Sequence, residues 1–195
     1  MLTGIRPLVI LSALVITLTV SSCAPTPEPE ETPTTEASPS ESASPSVEPA
    51  PELALPTCDA MFSADMVATL TGEGRVAEAS VTGPASSNGD IVVTFEGQTE
   101  SVRCGWILPA SESGSSTAIA FIDDATRSDI ESTLTAGGFT ASSALGGSAF
   151  SIENQGELSS STEFHLIVDG VWFFTIYFGG DAEALTIDAA EQLLP

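Results

Sequence analysis

Few side chains in this sequence could do chemistry. The reactive set is three Cys (Cys23, Cys58 and Cys104), one His (His165) and a large excess of acids. Because His165 is the single imidazole, any Ser-His-Asp scheme or His-based proton transfer has to run through it. No Gly-x-Ser-x-Gly elbow accompanies it, and its β-rich surroundings suit a hydrogen-bonded structural His better than a base. The 27 Asp and Glu leave a carboxylate pair for glycoside hydrolysis open, but no pair is set apart by its neighbours. Two Cys and one His make three potential metal ligands with no local spacing signature. Gly72-Glu73-Gly74 and Gly146-Gly147 match neither the phosphate-cradling nor the dinucleotide fingerprint, and Asp123-Asp124 opens no calcium loop. The sequence therefore points to no catalytic residue, no metal and no cofactor.

Charge narrows the partners. Four Arg and no Lys stand against the 27 acids, a net charge of -23 over 195 residues. A phosphate-binding surface needs clustered cations, so nucleic acid is excluded as a partner. A basic patch held on anionic lipid is excluded for the same reason.

The elements that position these residues fall into three segments: 1–22, 23–56 and 57–195. In the first, Arg6 is the only charge, and Leu8 to Val20 is an apolar run broken only by Ser12, Thr17 and Thr19. Thirteen residues are too few for a spanning helix, which needs about 20, and suit the apolar core of a signal peptide. The string Val20-Ser21-Ser22-Cys23 resembles the lipobox of bacterial lipoproteins. That resemblance implies a diacylglyceryl group on the Cys23 thiol, with cleavage leaving Cys23 as the new N-terminus, anchored at the extracytoplasmic face of the cell membrane. Two acyl chains hold stably where one does not. The weakly charged start departs from the pattern, and a secreted protein cleaved near Ser22 is the alternative.

Ala24 to Pro56 holds nine Pro, seven Glu and no basic residue, with Ser and Thr in most of the gaps. It has too little apolar surface to offset the entropy of ordering, so it reads as a disordered acidic stalk. In polyproline II form it could reach on the order of 100 Å, at ~3.1 Å per residue. Its composition fits either an O-glycosylated stalk or an unmodified linker.

Thr57 to Pro195 has the size of one domain and keeps 20 acids and three Arg, a net charge of -17 (3 minus 20). The pattern predicts an α+β domain, mainly an antiparallel sheet with about three helices. Ser63 caps a helix from Ala64 to Thr71, Asp123 or Asp124 caps one from Ala125 to Ala136, and Asp181 to Leu194 is the third. Strands are expected over Arg75–Thr82, Ile91–Phe95, Ser101–Leu108, Ser116–Ile122, Phe139–Leu145, Ser148–Glu153, Glu163–Val168 and Val171–Phe178. Two helix ends look alike: Ala68-Thr-Leu-Thr-Gly-Glu-Gly74 and Ser132-Thr-Leu-Thr-Ala-Gly-Gly138. A duplication and a shared Gly-rich stop both account for this.

With Cys23 lipidated, Cys58 and Cys104 remain as an even pair in an oxidising compartment, which reads as one structural disulfide. A redox pair or two metal ligands are the competing readings, and the wide spacing favours neither. The layout of lipobox, stalk, Cys58 before a short helix and Arg103-Cys104-Gly105-Trp106 is similar to small actinobacterial cell-envelope lipoproteins of unassigned function. That resemblance implies an extracytoplasmic α+β domain and supplies no catalytic residue.

Asp169-Gly170 marks a two-residue type I′ hairpin turn. It sets Phe164, Leu166, Val168, Val171, Phe173 and Tyr177 on one face, and His165, Ile167, Trp172, Phe174, Ile176 and Phe178 on the other. Both faces are apolar. Either the hairpin is central, with cover on both sides, or the three expected helices leave one aromatic face partly open, in which case His165, Ile167, Trp172, Phe174 and Ile176 are a candidate ligand groove. The acidic domain would favour a neutral or cationic small ligand, or an envelope protein. The function expected is a surface-anchored lipoprotein with a non-catalytic binding or envelope-support domain. Its rival is a small envelope hydrolase using a carboxylate pair.

Overall fold

The structure is a computed structural model that describes residues 53–79, 83–111, 113–156 and 160–194. The signal segment 1–22, Cys23 and the stalk up to residue 52 lie outside the described residues. A single 3-10 turn (Cys58–Ala60) leads into α1 (Ala64–Gly72), β1 (Val76–Glu78), α2 (Gly89–Glu96), β2 (Ser101–Ile107) and β3 (Gly114–Phe121). There follow α3 (Asp124–Ala136), β4 (Thr140–Ala144), β5 (Gly147–Gln155), β6 (Ser160–Val168), β7 (Val171–Phe178) and α4 (Ala182–Leu193). The seven strands make one antiparallel sheet in the order β1-β2-β3-β7-β6-β5-β4. The α+β class and the single domain stand as expected.

Local chemistry explains most boundaries. Ser63 Oγ accepts from Met66 N–H at 3.1 Å and donates to Asp188 of α4, so one hydroxyl caps α1 and ties it to the last helix. Asp123 accepts from Thr126 N–H at 2.8 Å and starts α3. Asp169 and Gly170, at φ 51° and 76°, make the two-residue turn, and Val168 faces Val171 in the expected register. At Gly147 a Cβ would lie 2.2 Å from the Ile167 carbonyl oxygen, so only glycine lets β5 approach β6 there. The two look-alike helix ends close in the same way. Arg75 N–H reaches back to the Leu70 carbonyl at 3.0 Å, and Phe139 N–H to that of Leu134 at 3.1 Å, around Gly74 and Gly138 at positive φ.

Two expectations about the elements fail. Ile91 to Phe95 belongs to helix α2, not a strand, which makes four α-helices among the described residues instead of three. The β-branched run Ile91-Val92-Val93 suggests a strand, but Asn88 accepts from the N–H groups of Asp90 and Ile91 and caps a helix. Ile91 and Phe95, four apart, then bury on one side while Val93 stays 70% exposed. Of the strand expected over Arg75–Thr82, the described residues pair over Val76–Glu78, and residues 80–82 lie outside the described residues.

The extra helix decides the fate of the hairpin. On one face of the sheet, Leu70 of α1 and Leu185 and Ala189 of α4 pack with Ile119, Leu166 and Phe173. A buried hydroxyl chain, Thr186 to Thr175 at 2.8 Å and Thr175 to Thr117 at 2.9 Å, runs between α4 and the sheet. On the other face, Ile91 and Phe95 of α2 and Ile130 and Leu134 of α3 pack on Trp172, Phe174 and Ile167. The candidate groove does not exist. His165, Ile167, Trp172 and Phe174 are fully buried and Ile176 is 2% exposed. Phe95 stands edge-on to Trp172 and Phe174, and Phe139 edge-on to His165, so aromatic edges roof this face.

Cys58 and Cys104 are joined, their Cα atoms 5.5 Å apart. The bond fastens the start of the domain to β2, an inner strand. Replacing both Cys with Ala should lower unfolding stability by about 4 kcal/mol in the chain-entropy account of a loop this long. Urea denaturation of the oxidised chain and of the double variant reads that difference. Trp172 offers an optical check. With Trp106→Phe leaving it as the one indole, its emission should be blue and acrylamide should hardly quench it. Strong quenching in the native state would mean that the roof of Phe95 and α2 is open.

Candidate functional site

The described residues that carry the most concentrated polar chemistry are not on the surface. They form a chain inside the roofed face. β6 alternates side chains between the two sides of the sheet, so Glu163 and His165 both point toward α2 and α3. Both are sealed, at 1% and 0% exposure. His165 Nε2 lies 2.8 Å from Glu163 Oε1, and Trp172 Nε1 lies 3.2 Å from His165 Nδ1. Ser86 Oγ also donates to Glu163 Oε1, while the N–H and the hydroxyl of Ser87 donate to Glu163 Oε2.

These contacts fix every proton. An indole N–H can only donate, so His165 Nδ1 must present a lone pair. The ring proton therefore sits on Nε2 and is donated to Glu163, and the imidazole is neutral. Glu163 receives four donors and offers none, so it is a carboxylate. Burial is the main cause that holds the His165 value below the ordinary 6.5, and the hydrogen bond to Glu163 only partly opposes it. Burial alone would push the Glu163 carboxyl up. The hydrogen bonds from His165, Ser86 and Ser87 outweigh it and hold the value below the ordinary 4.5.

Chemically, the arrangement is spent. Both ring nitrogens of His165 are occupied, and neither serine touches the imidazole, so no Ser-His relay exists. The Ser86 hydroxyl donates to Glu163 and accepts from Asn88 N–H at 3.0 Å, next to the residue that caps α2. The network is a strut that fixes the segment 83–88 and the start of α2 over the aromatic face. The Asp123 and Glu163 carboxyls both move down from their ordinary values, Asp123 through the N–H of Thr126, and a general acid needs the opposite shift. Among the described residues no three His, Cys, Asp or Glu gather where a metal could sit. Cys58 and Cys104 are spent in their disulfide.

Sequence reasoning read His165 as a hydrogen-bonded structural His, which it is, but also placed it with Trp172 in a candidate groove that is closed. It missed Glu163, Ser86 and Ser87. Glu163 was visible as an acid on an otherwise apolar strand face, which announces a buried partner set. Its serine partners, 76 and 77 residues away, carried no such mark.

Open concavities lie outside the sealed network, one of them reaching the Glu163 position of β6 from the opposite face. One cleft of about 440 Å³ sits between β4–β6 and the start of α4, bordered by Thr140, Ser151, Glu153, Thr162, Asp181 and Glu183. A shallower groove runs between α3 and β4, with Glu131, Ser132, Thr135, Ala141 and Phe150 along it. Compared with known proteins, the chain matches no family model, no curated protein and no solved structure.

The proton assignment has a measurable consequence. Folded His165 and Glu163 both bind protons less readily than the unfolded chain does. Stability should thus be complete above about pH 6.5 and fall below it, as unfolded His takes up a proton that folded His165 refuses. It should fall further below about pH 4.5, when unfolded Glu does the same. Each group contributes a slope of up to ~1.4 kcal/mol per pH unit. His165→Gln should remove the first decline and keep the second. Urea titrations from pH 8 to 4 measure both, and a flat wild-type profile between pH 6.5 and 5 would contradict the neutral imidazole.

Proposed function

We propose that this chain is an exported lipoprotein, held at the extracytoplasmic face of the membrane by a diacylglyceryl group on Cys23. Its α+β domain then serves as a non-catalytic binding or envelope-support module at the end of an acidic stalk. The observation that carries the reading is the sequence Val20-Ser21-Ser22-Cys23, placed at the end of the apolar run Leu8 to Val20. The Cys58–Cys104 disulfide is in keeping with an oxidising compartment. The absence of catalysis is supported by the saturation of His165 and Glu163, which leaves neither group able to meet a substrate. An envelope hydrolase remains the competing reading, and the cleft beside Glu153, Asp181 and Glu183 is where a carboxylate pair would work.

Anchoring is the part most directly tested. Wild-type chain should partition with membranes, and its N-terminal peptide should carry the mass of a lipid on Cys23. Cys23→Ala should move the protein into the soluble or secreted fraction. A variant that stays in the membrane fraction as firmly as wild type would overturn the anchor.

A further inference from the structure

We infer that the outer edge of β4 is a docking strand for an extended, basic peptide segment of a partner. The inference deepens the reading of the domain as a binding module. Among the described residues β4 pairs with β5 alone, in an unbroken register from Thr140–Ser151 to Ala144–Gly147, so one whole edge of its backbone has no described strand beside it. Sheets usually blunt such an edge with charge, proline, a bulge or brevity. The opposite edge, β1, is blunted by its length of three residues. β4 has five residues, Thr-Ala-Ser-Ser-Ala, with no charge, no proline and no bulge, and Thr140 to Ser143 are exposed.

The surroundings choose the occupant. Side chains of an added strand would alternate between the two faces of the sheet. On one face they enter the groove along α3, where Glu131 stands beside an apolar floor of Ala141 and Phe150. On the other they enter the cleft with Glu153, Asp181 and Glu183. The cleft is the acidic one of the two, because in the groove Glu131 is already paired with Arg127 at 3.0 Å, and Arg127 also reaches Ser148 at 3.3 Å. Lys and Arg suit the cleft, because their stems can lie along Phe164 and Ala182 while their heads meet carboxylates, and small side chains such as Thr suit the groove on the other face. A second copy of this chain is disfavoured, since the domain carries a net charge of -17. Main-chain pairing would supply affinity, and alternating basic side chains would supply selectivity.

The test uses the full-length chain in detergent and a fluorescent twelve-residue peptide of alternating Lys and Thr, followed by anisotropy. Two control peptides have Glu in place of Lys, or N-methyl groups on alternate backbone nitrogens. The Lys peptide should bind and slow amide exchange at Ala141 to Ser143, and both controls should fail. Glu153→Gln and Glu183→Gln together should weaken binding about tenfold, as the loss of two exposed ion pairs would. No binding of the Lys peptide, or equal binding of the N-methylated one, would overturn the docking strand. Loss of peptide binding leaves the Cys23 anchor standing, and a Cys23→Ala chain that stays in the membrane removes the anchor without touching the edge.

Discussion

A carboxylate without a cation, sealed inside an aromatic layer, is the constraint around which this domain is organised. Glu163 cannot be carried into that layer unless every lone pair finds a donor, because an unpaired buried charge costs several kcal/mol. Its donors come from two directions. His165 arrives from the same strand, and Ser86 and Ser87 arrive from the segment before α2. Trp172 then dictates which ring nitrogen holds the proton. Any displacement of 86–88 would strand the charge, so the start of α2 has one place to be. Phe95 follows, and with it the roof that closes over Trp172 and Phe174.

The two faces of the sheet solve the same problem with different chemistry. The face under α1 and α4 is mostly apolar, with a line of threonine hydroxyls across it and Arg75 lying over the Tyr177 ring, and it is pinned by the disulfide and by Ser63 with Asp188. Neutral hydroxyls are inexpensive to bury once paired. The face under α2 and α3 holds the charged strut. Specificity of packing is therefore concentrated on one side and tolerance on the other, and substitutions of equal size should weigh differently on the two.

Much of this architecture was legible in the chain. Asp169-Gly170 set the hairpin register, Ser63, Asp123 or Asp124, and Asp181 marked three helix starts, and Cys58 and Cys104 paired as expected. What misled was local. Ile91-Val92-Val93 carries strand propensity, while the cap at Asn88 and the burial of Ile91 and Phe95 four residues apart outweigh it. Losing that helix from the count made the aromatic face look uncovered and turned core residues into a groove. The strut was half legible. An acid and a histidine on an apolar face call for partners, but the identity of those partners is a long-range fact that no local pattern encodes.

The sheet order places β7, the last strand in the chain, between β3 and β6. On one side lie β1 to β3, preceded by α1, and on the other β4 to β6, preceded by α3. Until Val171 to Phe178 has been synthesised, these are two three-stranded ribbons with no strand in common, each showing an unpaired inner edge. Neither face of the final core can form, since Phe173 completes one and Trp172 and Phe174 the other. Vectorial synthesis therefore gives this chain no early folded stage to rest in. Truncation anywhere before β7 leaves a molecule in halves, and acquisition of structure is deferred to the moment the C-terminal 25 residues become available.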